Sequence, residues 1–431
     1  MLGKHKASVL ENCLTNLSPN YGSLWRATKR TCKLSSQNIP IKKSDGSFVG
    51  TDLDKAELIK DCFYETFQPH PNIFSLENNI AVAESLNSPL PVSRPVKHFS
   101  PSEVKFVIDK YPHKKSPGFD LITGEVARCL PKKAIIHLTH IFNCILRLTY
   151  FPILWKFSSI IMIPKPKKPP DSVSSFRPIS LLSFFAKILE KLILKRILPS
   201  ISNSVLPDAQ FGFRSAHSTI HQVQRIFDAI SFSLEKKQYC TCAFLDVSQA
   251  FDRVWHDGLL FKLKKILHPV FYLIIKSYLS NCHFQIRFGN AHSTISNISA
   301  GVPQGGILSP VLYNIYAADQ PTTLNTLVAD YTDDKAIIFI NSNPEMASHN
   351  LQNHLTLMED WKLLNAPPYV SIQQDLRMNS VKDEAKLYYK RFHSRLLNHP
   401  NPLIKNLAVP TILGNPLRRL KRNWCRDLLN A

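Results

Sequence analysis

Residues 328–340 read Val328-Ala329-Asp330-Tyr331-Thr332-Asp333-Asp334-Lys335-Ala336-Ile337-Ile338-Phe339-Ile340, with two adjacent carboxylates between two apolar runs. Val, Tyr, Ile and Phe favour strands, whereas Thr-Asp-Asp-Lys suits a tight connection, so the pattern predicts a β-hairpin with Asp333 and Asp334 at its tip. Taken alone, an Asp-Asp pair is more often an ordinary solvated turn, because Asp is a preferred turn residue. Strands on both sides would hold the two carboxylates at a fixed place, as an Mg²⁺ site requires.

A third carboxylate is available at the end of another predicted strand. The apolar run Cys240-Thr241-Cys242-Ala243-Phe244-Leu245 ends at Asp246, before the pattern becomes helical. Asp246 and Asp333 are 333 − 246 = 87 residues apart, so no local turn joins them, whereas neighbouring strands of one sheet would. We therefore expect Asp246 beside the hairpin tip.

Three motifs in this order resemble the palm motifs of reverse transcriptases, and more narrowly those of jockey-type non-long-terminal-repeat retrotransposons. They are Asp246 with an aromatic residue five positions later, Gly301-Val302-Pro303-Gln304-Gly305-Gly306-Ile307-Leu308-Ser309-Pro310, and Tyr331-Thr332-Asp333-Asp334. The resemblance implies an α+β right-hand polymerase fold with fingers and palm, an antiparallel palm sheet packed on helices, and RNA-directed DNA polymerase activity. It also implies that Asp246, Asp333 and Asp334 are catalytic and, with the backbone carbonyl of Val247, bind two Mg²⁺ ions, or Mn²⁺ in their place.

The composition indicates a polyanionic partner. The 431 residues include 53 Lys and Arg against 32 Asp and Glu, for a net charge of +21 and a pI near 9.6. The basic residues are spread along the chain, which favours nucleic acid over a membrane surface; by resemblance, the partners are an RNA or DNA template with its primer and dNTP substrates. A hydrophobic content of 44% supports a sizeable core and excludes a disordered chain, while the oligomeric state stays open.

Cysteine usage and the amino terminus indicate an intracellular protein. The nine cysteines are odd in number and lack the paired spacing of a zinc site, which is typical of reduced thiols. The first residues contain no apolar segment of signal-peptide length. We expect a protein that is not secreted and resides in the nucleus or cytoplasm.

The resemblance also divides the chain into four regions. We expect a helical linker region over residues 1–100, fingers over 101–235, the palm over 236–364 and a basic tail over 365–431. The match to the family breaks near Asn365, so the thumb is expected to be largely missing.

Four residues are candidates for binding the incoming nucleotide. An apolar strand at residues 158–163 runs into a basic loop with Lys165, and Arg177 follows; in the family these segments form the fingers hairpin over the nucleotide. Arg177 suits phosphate oxygens bidentately and Lys165 supplies a point charge, although both are also consistent with a solvated basic loop. By resemblance, the ring of Phe251 lies under the sugar and would clash with a 2′-hydroxyl. Gln304 lies in a glycine-rich loop and would hydrogen-bond to the base pair or sugar.

Basic residues in two loops are candidates for phosphate contacts. Lys114 and Lys115 precede a Pro-Gly turn, and Arg214 lies in the segment Gln210-Phe211-Gly212-Phe213-Arg214-Ser215-Ala216-His217-Ser218-Thr219, at the start of a helical pattern. The second segment also resembles the family, which implies contact with template or primer. Its two Phe residues are as consistent with core packing as with base stacking.

Several residues depart from the family pattern. The family usually has Ala between the aromatic residue and the acids and Thr after them, where this chain has Thr332 and Lys335; Asp330 also stands where Thr is common. Lys335 could pair with the metal-binding carboxylates and compete with the ion. Asp252 and Asp257, in the helical pattern after the acidic strand, are expected to cap that helix or to face solvent.

Two other functions stay open on the sequence alone. A remnant that keeps the fold and the basic groove would bind nucleic acid but turn over slowly or not at all, because a duplex without a thumb is poorly clamped. The other is an RNA-templated RNA polymerase, against which the ring of Phe251 counts.

Overall fold

A computed structural model describes residues 39–43, 45–69, 76–112, 115–165, 168–201, 205–245, 247 and 249–365. Asp246, Lys114, residues 1–38 of the expected linker and residues 366–431 of the expected tail lie outside the described residues. The expected loss of the thumb concerns the same carboxyl-terminal part.

Ten strands form three sheets within the described residues. They are β1 (Ile41–Lys42), β2 (Phe48–Val49), β3 (Phe157–Pro164), β4 (Phe176–Leu181), β5 (Tyr239–Leu245), β6 (Cys282–Phe288), β7 (Ala291–His292), β8 (Ser296–Ile298), β9 (Thr326–Tyr331) and β10 (Asp334–Asn341).

The same part of the chain contains eleven α-helices. They are α1 (Asp52–Thr66), α2 (Leu76–Asn87), α3 (Pro101–Asp109), α4 (Gly124–Arg128), α5 (Lys132–Leu148), α6 (Phe184–Ile197), α7 (Thr219–Glu235), α8 (His256–Ile266), α9 (Pro269–Leu279), α10 (Ser309–Tyr316) and α11 (Pro344–Asn365). The chain is thus a mixed helix-and-sheet protein, as the α+β prediction required.

A three-stranded antiparallel sheet has the order β5-β10-β9. Ile337 and Phe339 of β10 pack with Leu351 and Leu355 of α11 on one face. Ile338, which points to the other face, is also buried. Burial on both faces explains why β10 has a nearly continuous apolar run instead of a polar–apolar alternation.

A second sheet contains β4, β3, β6 and β7 in that order, with β8 also paired to β6. Its β3–β4 hairpin confirms the strand predicted at residues 158–163, whereas β3 and β6 run parallel. Ile59 and Phe63 of α1 pack against this sheet, so part of the expected linker belongs to its core. Because β6 comes from the expected palm range, the sheet crosses the expected boundary between residues 235 and 236.

The main hydrophobic core lies among the helices. Side chains from α3, α5, α6, α8, α9 and α10 form one continuous cluster with the residues just after β5. Burying this cluster fixes the helices against the turn that follows β5. In the described part of the chain, no helix combines the length and apolarity needed to cross a bilayer.

Candidate active site

The β9–β10 hairpin presents two adjacent carboxylates at its tip. Tyr331 pairs with Asp334, and the connection between them consists of Thr332 and Asp333. Thr332 has a φ of +65°, a left-handed conformation that is unusual for a β-branched residue. Asp333 is partly exposed and Asp334 is exposed. The predicted acidic hairpin is therefore present.

Strand β5 ends directly beside this tip. Leu245, its last residue, pairs with Lys335 of β10, so the two strand ends that border Asp246 and Asp334 are neighbours. The two parts of the chain expected to supply the acids thus meet, although Asp246 itself is outside the described residues. Val247 is described and is buried in the main core.

Asp330 and Lys335 form an ion pair across the hairpin. The two residues face each other in the β9–β10 register, and Lys335 Nζ lies 2.6 Å from Asp330 Oδ1. Burial raises the pKa of the Asp330 carboxyl, and the Lys335 ammonium opposes part of that rise. Two departures from the family pattern therefore form a single cross-strand pair, in which Asp330 engages the Lys335 cation that could otherwise pair with Asp333 or Asp334.

The glycine-rich loop at residues 301–306 packs on the turn after β5. Gly301 has a φ of +93°, and its N–H donates to the Val254 carbonyl at 2.8 Å. The Val302 N–H donates to the Phe251 carbonyl at 2.7 Å, and Ser180 of β4 donates to the Gln304 carbonyl at 2.8 Å. The loop therefore joins the turn after β5 to the β3–β4 hairpin.

Asp252 is buried under this loop, and the prediction that it caps a helix or faces solvent is wrong. Its side chain is 4% exposed, and both carboxylate oxygens accept hydrogen bonds from Gln304 Nε2, each at 2.8 Å. Burial raises the pKa of Asp252 to about 7, although the Gln304 bonds and the Arg253 charge lower it. Asp257, by contrast, is exposed in the first turn of α8, as expected.

Glu190 holds the other end of the loop and was missed in the sequence. Its Oε2 accepts from Ile307 N at 2.6 Å and from Leu308 N at 3.1 Å. The side chain is fully buried, which raises the pKa of Glu190 to about 7. The signal available in the sequence was an acidic residue within the apolar run of α6. Because Glu is seldom buried unless it is paired, such a residue indicates a specific partner in the core.

Phe251 lies beside the glycine-rich loop and stacks on Tyr313 of α10. The ring centroids are 4.9 Å apart and the planes differ by 26°. The remaining ring surface is partly exposed, because Phe251 packs only at the margin of the main core.

The candidate cations differ in how far they are already engaged. Arg177 is exposed and pairs with Ile163 in the hairpin register, whereas Lys165 Nζ donates to the Ser174 carbonyl at 2.9 Å. Lys115 is exposed. Arg214 Nη1 donates to the carbonyls of Pro207 at 2.8 Å and Gln210 at 3.1 Å, so its guanidinium holds its own loop together.

The segment with Arg214 lies against the acidic hairpin. Residue 210 forms a parallel bridge with Asp330, which adds the segment to the free edge of β9. Phe213 is 61% exposed and has a φ of +55°, so the alternative that its ring packs in the core does not apply. Phe211 contacts the His217 ring edge-on.

The acids at the tip fit a divalent cation of the Mg²⁺ type. Asp333 and Asp334 offer carboxylate oxygens at an accessible turn, and such hard donors suit Mg²⁺ or Mn²⁺. No group of three metal-ligating side chains occurs among the described residues, which do not include Asp246.

Comparison with known proteins shows which proteins this chain is similar to. A family model described as reverse transcriptase (RNA-dependent DNA polymerase) matches residues 163–365. The chain is 39% identical over 373 residues to the RNA-directed DNA polymerase from mobile element jockey of Drosophila melanogaster, a match covering 84% of this chain and 40% of that protein. The corresponding Drosophila funebris protein is 40% identical over 84% of this chain and 41% of its own length.

A third relative extends the comparison to another element. The probable RNA-directed DNA polymerase from transposon X-element of Drosophila melanogaster is 37% identical over 83% of this chain and 40% of its own length. The chain thus spans about 40% of the length of these curated relatives.

Proposed function

We propose that the chain, which carries a reverse transcriptase domain homologous to those of jockey and related non-LTR retrotransposons, extends a primer on an RNA template as an RNA-directed DNA polymerase. The single observation that supports this most strongly is the acidic hairpin beside the end of β5. That pairing brings together two regions that the sequence separates by almost ninety residues.

In this proposal Asp246, Asp333 and Asp334 hold two Mg²⁺ ions, with the Val247 carbonyl as a further ligand and Mn²⁺ as a substitute. When bound, the ions neutralise charge on the oxygen that attacks and the oxygen that leaves during nucleotidyl transfer. The chain's own contribution is positional: the strands fix the carboxylates relative to the primer 3′-hydroxyl and the α-phosphate.

The nucleotide lies between the acidic hairpin and the β3–β4 hairpin. Arg177, which is exposed on β4, binds the triphosphate, and Lys165 adds a point charge from the adjoining loop. Phe251 lies under the sugar, where the stack on Tyr313 keeps its ring in place. Because the Gln304 amide nitrogen donates to Asp252, Gln304 presents its amide oxygen to the nucleotide.

The template and primer follow the basic surface, with Lys114 and Lys115 at the phosphates. We assign the fingers to residues 101–235 and the palm to 236–364, preceded by the linker region and followed by a basic tail in place of most of the thumb. Arg214 acts mainly through its loop, since backbone carbonyls engage its guanidinium.

Primer extension on an RNA template tests the proposal. The parent, Asp246→Ala, Asp333→Ala and Asp257→Ala chains are compared with dNTPs and Mg²⁺. Asp257 is the matched control because it is an exposed acid on α8. Extension should fall to background in the first two variants and persist in the control; equal signal in all four chains would refute the enzyme.

Filter binding of the same template–primer separates a polymerase from a binding-only remnant. A parent that binds the duplex but adds no nucleotide would be the binding-only remnant, which keeps the basic groove without polymerase activity. The polymerase would be supported if the parent extends the primer while Asp246→Ala and Asp333→Ala bind the duplex with the affinity of the parent but do not extend it.

Phe251→Val tests the assignment of the sugar contact. The smaller side chain should admit ribonucleotides, because it removes the ring that would clash with a 2′-hydroxyl. The ratio of kcat/KM for dNTP and rNTP measures the effect. An unchanged ratio would contradict this role of Phe251.

A further inference from the structure

Residues 209–212 extend the free edge of β9 next to the acidic turn. The Asp330 N–H donates to the Ala209 carbonyl at 3.0 Å, and the Phe211 N–H donates to the Asp330 carbonyl at 2.9 Å. These two bonds form the parallel bridge at Gln210. They bring the Gln210 side chain to the end of the hairpin, 122 residues away in sequence.

The Gln210 side-chain amide binds both polar groups of the Thr332 main chain. Its Oε1 accepts from Thr332 N at 2.8 Å and from Gly212 N at 2.7 Å, while its Nε2 donates to the Thr332 carbonyl at 3.2 Å. The side chain is 5% exposed. A buried amide with both ends bonded fixes the two peptide units on either side of Thr332, the second of which leads into Asp333.

Thr332 needs such support, because it adopts a backbone conformation that a β-branched residue seldom takes. Its φ is +65°, and residues of this kind persist only where their surroundings hold them. A Cβ on Gly212 would overlap the Thr332 N and Oγ1 atoms, so the supporting loop passes as close as a glycine allows. Asn314 of α10 donates to the Gly212 carbonyl at 2.8 Å and ties that loop to the main core.

We propose that Gln210 is a positioning residue for the metal-binding acids. By fixing the Thr332 peptide, its amide sets the direction in which the Asp333 and Asp334 carboxylates leave the turn. This inference rests on the proposed function. Mg²⁺ demands near-ideal geometry, so a turn free to rotate at Thr332 would bind the ion more weakly.

The chemistry of the side chain explains why an amide is needed. The Thr332 peptide presents one donor and one acceptor, and glutamine matches both at once. Glutamate would keep the acceptor but lose the donor, and it would add negative charge beside the acids. Methionine has a similar shape and offers neither group.

Gln222 on α7 provides a matched control. Its Nε2 donates to the Ala209 carbonyl at 2.7 Å and the Asp330 carbonyl at 2.9 Å, and its side chain is 4% exposed. Gln222 therefore supports the contact between residues 209–212 and β9 and is as deeply buried as Gln210. Its bonds go to Ala209 and to Asp330 of β9, and not to Thr332 in the turn. Gln222→Met should lower thermal stability without changing the direction of the Asp333 and Asp334 carboxylates.

The test measures Mn²⁺ binding to the full-length parent, Gln210→Met, Gln210→Glu and Gln222→Met chains by electron paramagnetic resonance. Amide hydrogen exchange of the peptide containing Thr332 is followed in the same samples. Gln210→Met should weaken Mn²⁺ binding by roughly 10–100-fold, the usual effect of losing a group that orients a metal ligand. It should also speed exchange at the turn, with Gln222→Met within about twofold of the parent in Mn²⁺ affinity.

Gln210→Glu keeps the test informative if the methionine variant fails to fold, because glutamate still accepts from Thr332 and Gly212. It should weaken binding less than methionine does and leave the turn amide protected. In primer extension, the Gln210 variants should lower kcat with little change in the KM for dNTP.

Parental Mn²⁺ affinity and exchange in both Gln210 variants would overturn the proposal, as would equal losses in Gln222→Met. A parent that binds Mn²⁺ but extends no primer would refute the polymerase and leave the Gln210 comparison valid. A parent that binds no Mn²⁺ would overturn both.

Discussion

Replacing Lys335 by threonine should destabilise the protein strongly, because it leaves the Asp330 carboxylate buried without its cation. The side chains of Lys335 and Asp330 are only 9% and 13% exposed, and their charged atoms are 2.6 Å apart. Removing one partner of a buried ion pair costs about 3–5 kcal/mol. The Arg225 charge also lowers the pKa of Asp330 and compensates in part, so we expect about 3 kcal/mol.

The double variant Asp330→Thr/Lys335→Thr should recover most of this loss. It removes both buried charges and places two threonines opposite each other, a favourable cross-strand pair. Its free energy of unfolding should lie within about 1 kcal/mol of the parent. Because the coupling energy is the loss in the double variant minus the losses in both single variants, its magnitude should be at least about 2 kcal/mol, and larger by any loss in Asp330→Thr alone.

The cost of Lys335→Thr should also depend on pH in a defined direction. The pKa of Asp330 is already raised by burial, and loss of the Lys335 charge raises it further. A carboxyl with a raised pKa in the folded state is least costly below its unfolded pKa of about 4, and stability is lost as pH rises towards the folded pKa. The variant should therefore be closer to the parent at pH 5 than at pH 8.

Urea unfolding of the four chains of the cycle at both pH values measures these quantities. A loss below about 1 kcal/mol in Lys335→Thr at pH 8 would mean that water or another cation satisfies Asp330. A double variant as unstable as the single one would show that the pair does not act as a unit.

Three other changes follow from the same geometry. Gly212→Ala should cost about 1–3 kcal/mol by overlap with Thr332, measured by thermal unfolding against Gly50→Ala, whose methyl would meet nothing within 4 Å. Parental stability should fall as pH rises from about 4 to about 7, because burial raises the pKa of Asp252 to about 7; Asp252→Asn should flatten this dependence, and a parallel pH profile of both chains would contradict it. Arg214→Gln should lower thermal stability without changing the salt dependence of template binding, since its guanidinium serves backbone carbonyls; a smaller salt slope would instead indicate a phosphate contact.

The acidic hairpin and the strand before Asp246 could be predicted because strand formation and turn chemistry are local. Apolar runs of strand length on either side of the Thr-Asp-Asp-Lys segment were sufficient, and β9 and β10 begin and end close to where that pattern does. What the sequence does not disclose is register. That Asp330 and Lys335 face each other follows only from the pairing of the two strands.

Asp252 and Gln210 show why contacts between distant segments escape this kind of reasoning. Asp252 has the local features of a cap, but the loop that buries it arrives about fifty residues later, with Gln304 as its partner. Gln210 looks like an ordinary loop residue, and its role depends on Thr332. In both cases the deciding partner is set by tertiary packing, which no pattern along the chain encodes.

The order in which the strands join the two larger sheets has a consequence for how the polypeptide is made. The chain adds β5 to one sheet, then β6 to the other, and returns to the first with β9 and β10. The sheet with β3 and β6 therefore cannot complete its hydrogen bonding until β8 at residues 296–298 has been made, and the sheet with β5 cannot do so until β9 and β10, after residue 326, have been made. Such interleaving predicts slow, all-or-none maturation late in synthesis, with unpaired strand edges exposed to chaperones until then.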